Sequence, residues 1–250
     1  MNPSSVLHES EIKELFGEAS NFLKQYFGVT DEYPSSKVIL ISPQRLRKKY
    51  NAHGVHEPSL NHTLLGTSYE RVLGITTIGE EAGHWLHSFE NPSLFHSVSD
   101  ARKNLDELLA IHGVNFSTAH AVFTELGYTE LHPDHKIIYD TVIDAFENYW
   151  KGRRVIEFIG AVSSIAFSDS KGLQNEAFST VFFNAIDHNF ATSKDAHGAM
   201  ILGRSFEYVE IDKAAMNYSK IVSLAPENRR KLLQAKSFPE IEMILKECAP

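Results

Sequence analysis

The segment from Ile75 to Phe89, with the sequence ITTIGEEAGHWLHSF, is the feature that most constrains this chain. It places two adjacent glutamates and a histidine, Glu80, Glu81 and His84, in a largely apolar stretch. On an α-helix, residues four apart lie about one turn apart on the same face, so Glu80 and His84 can bind one metal ion. Glu81 points about 100° away, which suits a general base beside the metal rather than a ligand. The spacing therefore predicts a metal site on a helix.

The ligand type at position 80 affects which metal the site prefers. Zinc accepts carboxylate oxygens at about 2.0–2.2 Å, so Glu80 is compatible with zinc. An additional carboxylate makes metal-bound water a weaker acid and shifts the preference toward Mn²⁺ or Fe²⁺. We expect one divalent metal ion, zinc in the first place, with manganese or iron as alternatives. The competing explanation is that GEEAGH is only the start of a helix, with two solvated acids.

This segment resembles the active-site helix of the zincin metallopeptidase superfamily, which often has the pattern H-E-x-G-H-x-L-H. The residues that match are Glu81, Gly83, His84, Leu86 and His87. Glu80 stands where the family has the first histidine. The resemblance implies that His84 is a metal ligand, that Glu81 is the general base, and that Glu80 occupies a ligand position with a different residue type. It covers about fifteen residues of the chain.

A zincin needs a third ligand from further along the chain. The metzincin branch would have glycine and then a ligand histidine at positions 87 and 90, but this chain has His87 and Glu90. The gluzincin branch uses a glutamate from a later helix, and the best candidate is Glu157 in the apolar run RRVIEFIGAVSSIAF. A carboxylate is costly to bury there without a cation or good donors. Glu157 is thus the predicted third ligand, and the alternative is an ion pair with Arg153 or Arg154 or a structural hydrogen bond.

The remaining candidates are less constrained by the pattern. His87 lies too far along the helix from Glu80 to share one ion with it and with His84, which favours a packing role. A di-iron site would need the E-x-x-H pair on two helices, and the chain has one copy.

His132 and His135 stand at a proline-marked turn, which favours capping or surface roles. Oxyanion stabilisation by His197 or Tyr208 is conceivable, and the sequence does not choose between them. A histidine of the polar segment before the helix (His53, His56 and His62) is a candidate to face a substrate.

Composition limits the classes of function. With 24 basic and 32 acidic residues, the net charge of −8 argues against a nucleic-acid-binding surface. Cys248 is the only cysteine, so no internal disulfide is possible. The start of the chain has no signal pattern, and the longest apolar stretch is shorter than a membrane span. We expect a cytoplasmic protein with no membrane partner.

The pattern along the chain predicts an α+β fold that is predominantly helical. KVILI at Lys37–Ile41 is the clearest strand, and His62–Ser68 is a candidate for a second. Helices are predicted at Ile12–Phe27, Ala101–His112, Phe116–Leu126, Lys136–Trp150, Arg153–Phe167, Gln174–Phe190, Ala196–Glu207, Pro226–Ala235 and Pro239–Cys248. The order of elements implies a zincin-like layout of residues 1–250 as one domain. Two lobes are the alternative, with the strands and the motif helix in 1–95 and helices in 96–250.

These observations together predict a metal-dependent hydrolase that resembles a zincin metallopeptidase. Metal-activated water, deprotonated by Glu81, would attack a peptide or other amide carbonyl. Glu80, His84 and Glu157 would hold the metal, and the substrate would be a peptide or protein. The alternative is a non-catalytic zincin-like protein that binds a peptide or protein partner through the same cleft. The oligomeric state is not predicted.

Overall fold

A computed structural model of the protein describes residues 5–50, 52–116, 118–119, 132–173 and 206–247. Within these ranges the chain forms short strands near its N-terminus and α-helices over most of the rest. The strands are β1 (Val6–His8), β2 (Lys37–Ile41), β3 (Gly54–Glu57), β4 (His62–Gly66) and β5 (Ser68–Glu70). The helices are α1 (Glu9–Tyr26), α2 (Pro43–Tyr50), α3 (Arg71–Glu90), α4 (Pro92–Ile111), α5 (Pro133–Ser170), α6 (Phe206–Ser223), α7 (Pro226–Gln234) and α8 (Phe238–Glu247). The predicted α+β, predominantly helical class is confirmed.

The strands form two small sheets. β1 pairs with β5 in an antiparallel ladder, and the second sheet has the order β2-β4-β3. In that second sheet β2 is parallel to β4, whereas β3 is antiparallel to β4 and forms an edge. The predicted strand at Lys37–Ile41 is confirmed, and the second predicted strand is divided into β4 and β5. The polar segment before the motif helix also contains β3, a strand that the sequence did not predict.

The motif segment lies in the middle of α3. The helix begins at Arg71, and the side chain of Glu70 caps it by accepting hydrogen bonds from the backbone N–H groups of Val72 and Leu73. Almost every residue from Val72 to His87 is buried, as is typical of a helix enclosed by other elements. GEEAGH is therefore not a helix start with two solvated acids, and that alternative is wrong.

Helix α5 is continuous where the sequence predicted two helices separated near Gly152. A glycine inside a helix costs only about 1 kcal/mol relative to alanine, so it does not by itself end one. Here Gly152 lies against α4, because a Cβ at this position would be 2.5 Å from Cγ2 of Val98. The glycine permits a close helix–helix contact and does not mark a boundary.

Helices α3 and α5 pack along each other through small residues. A Cβ on Gly83 would be 2.3 Å from Oγ of Ser163, and one on Gly79 would be 3.1 Å from Cα of Ser164. Ser164 also donates a buried hydrogen bond of 2.9 Å to the carbonyl oxygen of Thr76. This close approach allows a side chain from α5 to reach the motif residues of α3.

The other predicted helices are found with shifted ends or lie outside the described residues. Ile12–Phe27, Ala101–His112, Pro226–Ala235 and Pro239–Cys248 correspond to α1, the second half of α4, α7 and α8. Most of Phe116–Leu126, all of Gln174–Phe190 and nearly all of Ala196–Glu207 lie outside the described residues. Among the described helices, none has the length and apolar character needed to cross a membrane.

Candidate metal centre

Two helices bring the three predicted ligands together. Glu80 and His84 lie one turn apart on α3, with 3.8 Å between Oε1 of Glu80 and Nε2 of His84. Glu157 comes from α5, and one donor atom from each of the three residues lies within 4.8 Å of the other two. The structure therefore brings together the three residues that the sequence predicted as ligands.

The donor set fits a divalent cation. Two ligands bound to one ion at about 2.0–2.2 Å in tetrahedral geometry are about 3.3–3.6 Å apart, so the three side chains have to draw closer together when an ion binds. Two carboxylate oxygens and one imidazole nitrogen suit zinc, manganese or iron. The site is half open, because the Glu80 side chain is 40% exposed whereas His84 is buried. A cation can therefore enter from the side of Glu80.

Glu81 lies buried beside this group. It is 4% exposed, and its Oε2 has no hydrogen-bond partner among the described residues. Burial raises the pKa of Glu81 to about 8; His84 opposes this shift, and the carboxylates of Glu80 and Glu157 add to it. A carboxyl group with such a pKa can take up and release a proton near neutral pH, which is the property of a general base.

The edge strand β3 covers one side of the Glu81 side chain. A Cβ on Gly54 would be 2.7 Å from Cγ and 2.9 Å from Oε1 of Glu81, so the first residue of β3 touches this carboxyl group. A larger residue at position 54 would displace Glu81. The backbone of the edge strand therefore runs directly past the candidate base.

His84 is held between the two helices. Burial by itself lowers the pKa of His84, but the nearby Glu80 carboxylate and the charges of Glu157 and Glu81 raise it above its ordinary value. Gly160, one turn after Glu157 on α5, lies directly against the imidazole ring. The Nδ1 atom is buried and has no hydrogen-bond partner among the described residues. The Nε2 atom is the one that faces Glu80.

The ion pair that the sequence offered as an alternative for Glu157 is also present. Arg153 lies one turn before Glu157 on α5, and its guanidinium makes a close contact with Oε1 of Glu157. The structure thus pairs Glu157 with Arg153 while keeping its carboxylate within reach of His84. The ion pair and the ligand role thus draw on the same carboxylate.

Among the described histidines, only His84 belongs to the group that could share one ion. His87 is fully buried, with its ring edge-on to Phe95 at 5.1 Å between centroids. His132 caps α5 by accepting a hydrogen bond of 3.4 Å from the backbone N–H of Asp134, in line with its turn position. His56 lies on β3 and contacts Thr63 and Ser88. His197 and the side chain of Tyr208 lie outside the described residues.

Sequence reasoning missed the residues that shape the site rather than act in it. Gly54 and Gly160 allow a strand and a helix to approach Glu81 and His84. A glycine inside an apolar helical run, such as Gly160 in EFIGAVSS, is a signal of close packing that the pattern does contain. Gly54 carries no comparable signal, because β3 is only four residues long and polar.

Comparison with protein-family models, with curated proteins and with solved structures gives no match for this chain.

Proposed function

We propose that this protein is a hydrolase that uses a single divalent metal ion to cleave peptide or other amide bonds, with a site built like that of the zincins. One observation carries the proposal. Glu157 reaches from α5 to within 4.8 Å of Glu80 and His84 on α3, and Glu81 is buried next to them. A ligand set completed from a second helix, with a base of raised pKa at its side, is more specific than the motif alone.

The residues of the chain have separate roles in this proposal. Glu80, His84 and Glu157 hold the metal. A divalent cation there supplies a Lewis acid that acidifies water and polarises a carbonyl oxygen. Glu81 accepts the proton of the attacking water while the hydroxide oxygen bonds to the carbonyl carbon, and it returns that proton to the amine as the C–N bond breaks. Burial raises the pKa of Glu81, which makes its carboxylate a stronger base for the first step.

A peptide is the substrate class that the surroundings favour. β3 is an edge strand of its sheet, and an extended peptide can add to such an edge through backbone hydrogen bonds. Because Gly54 at the start of β3 touches Glu81, a peptide aligned on this strand would pass the candidate base. This supports a peptide in preference to a compact small molecule.

Metal content and cleavage of a peptide library test this proposal. Protein purified without chelator or metal-affinity resin is expected to contain one divalent ion per chain and to cleave peptides in the presence of Zn²⁺, Mn²⁺ or Co²⁺. His84→Ala and Glu157→Gln should lose the metal. Glu147→Gln changes an exposed carboxylate on the same helix; it is the matched control and should keep the metal.

The role of Glu81 separates hydrolysis from metal binding. Glu81→Gln should retain the metal and lose cleavage by a factor of about 10² or more, because it removes the base but none of the ligands. A native protein that binds metal but cleaves nothing in the library would contradict the hydrolase proposal.

The second candidate is a non-catalytic protein that binds a peptide or protein partner through the same face. The ion pair between Arg153 and Glu157 favours it, since a guanidinium already neutralises one of the ligands. The two candidates differ in the outcome for Glu80→His, which completes the zincin ligand pattern. If the native protein cleaves nothing and Glu80→His gains cleavage, the second candidate is supported. The protein would then be a peptidase that has lost its activity and retains only binding.

A further inference from the structure

Arg153 lies in direct contact with Glu157, one of the candidate ligands. It lies four residues before Glu157 on α5, so the two side chains share one face of the helix. The Glu157 side chain is 14% exposed and that of Arg153 is 37% exposed, so the pair is partly shielded from water. An ion pair in this setting is screened less than one at the open surface.

The charges around this pair explain why a cation is needed there. Glu80, Glu81 and Glu157 bring three carboxyl groups around His84, and the charge of Arg153 also acts on Glu81. Without a metal ion, like-charged carboxylates at this separation destabilise one another. The guanidinium offsets part of that repulsion. A divalent cation at the same group would supply the positive charge instead.

The position of Arg153 also conflicts with a bound metal. The carboxylate of Glu157 has one oxygen within 4.8 Å of donor atoms of Glu80 and His84, the position from which it would bind a shared ion. Its Oε1 is in contact with the guanidinium, and a metal ion bound to that carboxylate would be repelled by the arginine charge. Glu157 cannot serve both partners equally.

We infer that Arg153 competes with the metal ion for Glu157 and thereby sets the metal affinity of the site. This inference rests on the metal site of the proposed function. In the metal-free protein Arg153 holds Glu157, and the guanidinium has to be displaced when a cation binds. The metal affinity is then lower than the three ligands alone would give. It is reduced by the fraction of protein molecules in which Arg153 does not hold the Glu157 carboxylate. Because arginine stays protonated at all accessible pH values, raising the pH does not relieve this competition.

The test compares the metal affinity of the native protein, Arg153→Gln and Lys151→Gln. Lys151 is an exposed cation on the same helix, two residues away, so Lys151→Gln removes the same charge without touching Glu157. Each metal-free protein is titrated with Zn²⁺ and with Mn²⁺ against a chromophoric chelator. Arg153→Gln is expected to bind at least about tenfold more tightly than the native protein, and Lys151→Gln is expected to match the native protein within about twofold.

Thermal unfolding with and without Zn²⁺ distinguishes competition by Arg153 from a purely structural role of that residue. Loss of the ion pair should lower the Tm of metal-free Arg153→Gln, whereas saturating Zn²⁺ should raise its Tm by more than it raises that of the native protein. An arginine with only a structural role would lower the Tm with and without metal by the same amount. Arg153→Met, which keeps the aliphatic stem, replaces the glutamine variant if that variant does not fold.

Each outcome decides the inference. Metal bound with equal affinity by native protein and Arg153→Gln, or more weakly by the variant, overturns it and leaves the metal site standing. Metal bound by the variant alone supports it and shows that the arginine keeps the native site closed to these ions. Failure of both proteins to bind Zn²⁺ or Mn²⁺ overturns it together with the proposed function.

Discussion

The backbone of Gly160 lies against the imidazole ring of His84. A Cβ at position 160 would be 2.5 Å from Cε1 and 2.9 Å from Nε2 of that ring, and 3.2 Å from Cγ of Glu80. The first of these distances is well inside van der Waals contact, so only glycine fits without movement of the histidine. Since Gly160 and Glu157 are three residues apart on α5, this contact sets how far the ring lies from the Glu157 carboxylate.

Gly160→Ala is therefore expected to weaken metal binding. The added methyl group pushes the imidazole away from Glu157, and overpacking of this kind costs about 1–3 kcal/mol, offset by up to about 1 kcal/mol of helix propensity. Chelator competition measures the affinity, and urea unfolding measures the stability. Gly17→Ala on α1 is the control, because a Cβ there meets nothing within 4 Å and should only stabilise the helix. Unchanged affinity in Gly160→Ala would show that His84 is not a ligand.

Glu80→His is expected to increase zinc affinity by about tenfold or more. Imidazole is the better zinc donor, and the change removes one of the carboxylates from a partly buried site. Any peptide cleavage should be maintained or increased. Glu147→His makes the same substitution at an exposed position of α5 and should leave the affinity unchanged. If both variants bind zinc as the native protein does, Glu80 is not one of the ligands.

The part of the site that the sequence predicted follows from helical spacing and from the cost of burying charge. The interval from Glu80 to His84 places both on one face of a helix wherever the helix begins. Glu157 was predicted because a carboxylate in an apolar run needs a cation or a donor nearby. The structure gives it both an arginine and two neighbouring candidate ligands. Their action on a metal remains a prediction.

The part that the sequence did not predict depends on contacts between distant segments. Arg153 and Arg154 lie four and three residues before Glu157, and both spacings allow a contact on a helix, so the choice of Arg153 comes from packing. The strand β3 is too short and polar to give an alternation signal, and it forms because β4 pairs with it. The continuity of α5 through Gly152 comes from its contact with α4.

The C-terminal end of α3 is anchored by a buried carboxylate. The side chain of Glu90 is 2% exposed and accepts hydrogen bonds from the Tyr33 hydroxyl at 2.7 Å and from Nε and Nη2 of Arg230 at 2.9 Å. Arg230 comes from α7 and also pairs with Asp31. This cluster joins the last turn of α3 to α7 and to the segment that follows α1.

Glu90→Gln is expected to lower the free energy of unfolding by about 2–3 kcal/mol. Breaking a fully buried ion pair costs about 3–5 kcal/mol, and the 29% exposure of Arg230 and its second partner Asp31 reduce that cost. Glu107→Gln is the control, because Glu107 pairs with Lys103 at 4.0 Å on the surface and should contribute less than about 0.5 kcal/mol. Urea unfolding of both variants measures the difference. Equal, small effects would mean that the Glu90 cluster does not anchor α3.

His87 is expected to make the stability of the protein fall as the pH is lowered. Burial, together with the nearby charge of His84, lowers the pKa of His87 to about 3, whereas an unfolded histidine has a pKa of about 6.5. Below pH 6.5 the unfolded chain binds a proton that the folded protein cannot, so the stability present above that pH is lost toward pH 3. The loss is about 1.4 kcal/mol per pH unit, or about 2 kcal/mol at pH 5. Urea unfolding of the metal-free native protein and of His87→Leu at pH 8, 6.5 and 5 measures this loss. At pH 8 the difference between the two proteins reports only the change in packing.

Between pH 6.5 and pH 5 the free energy of unfolding should fall less in the variant, by about 2 kcal/mol. Equal falls in the two proteins would rule out a buried neutral His87.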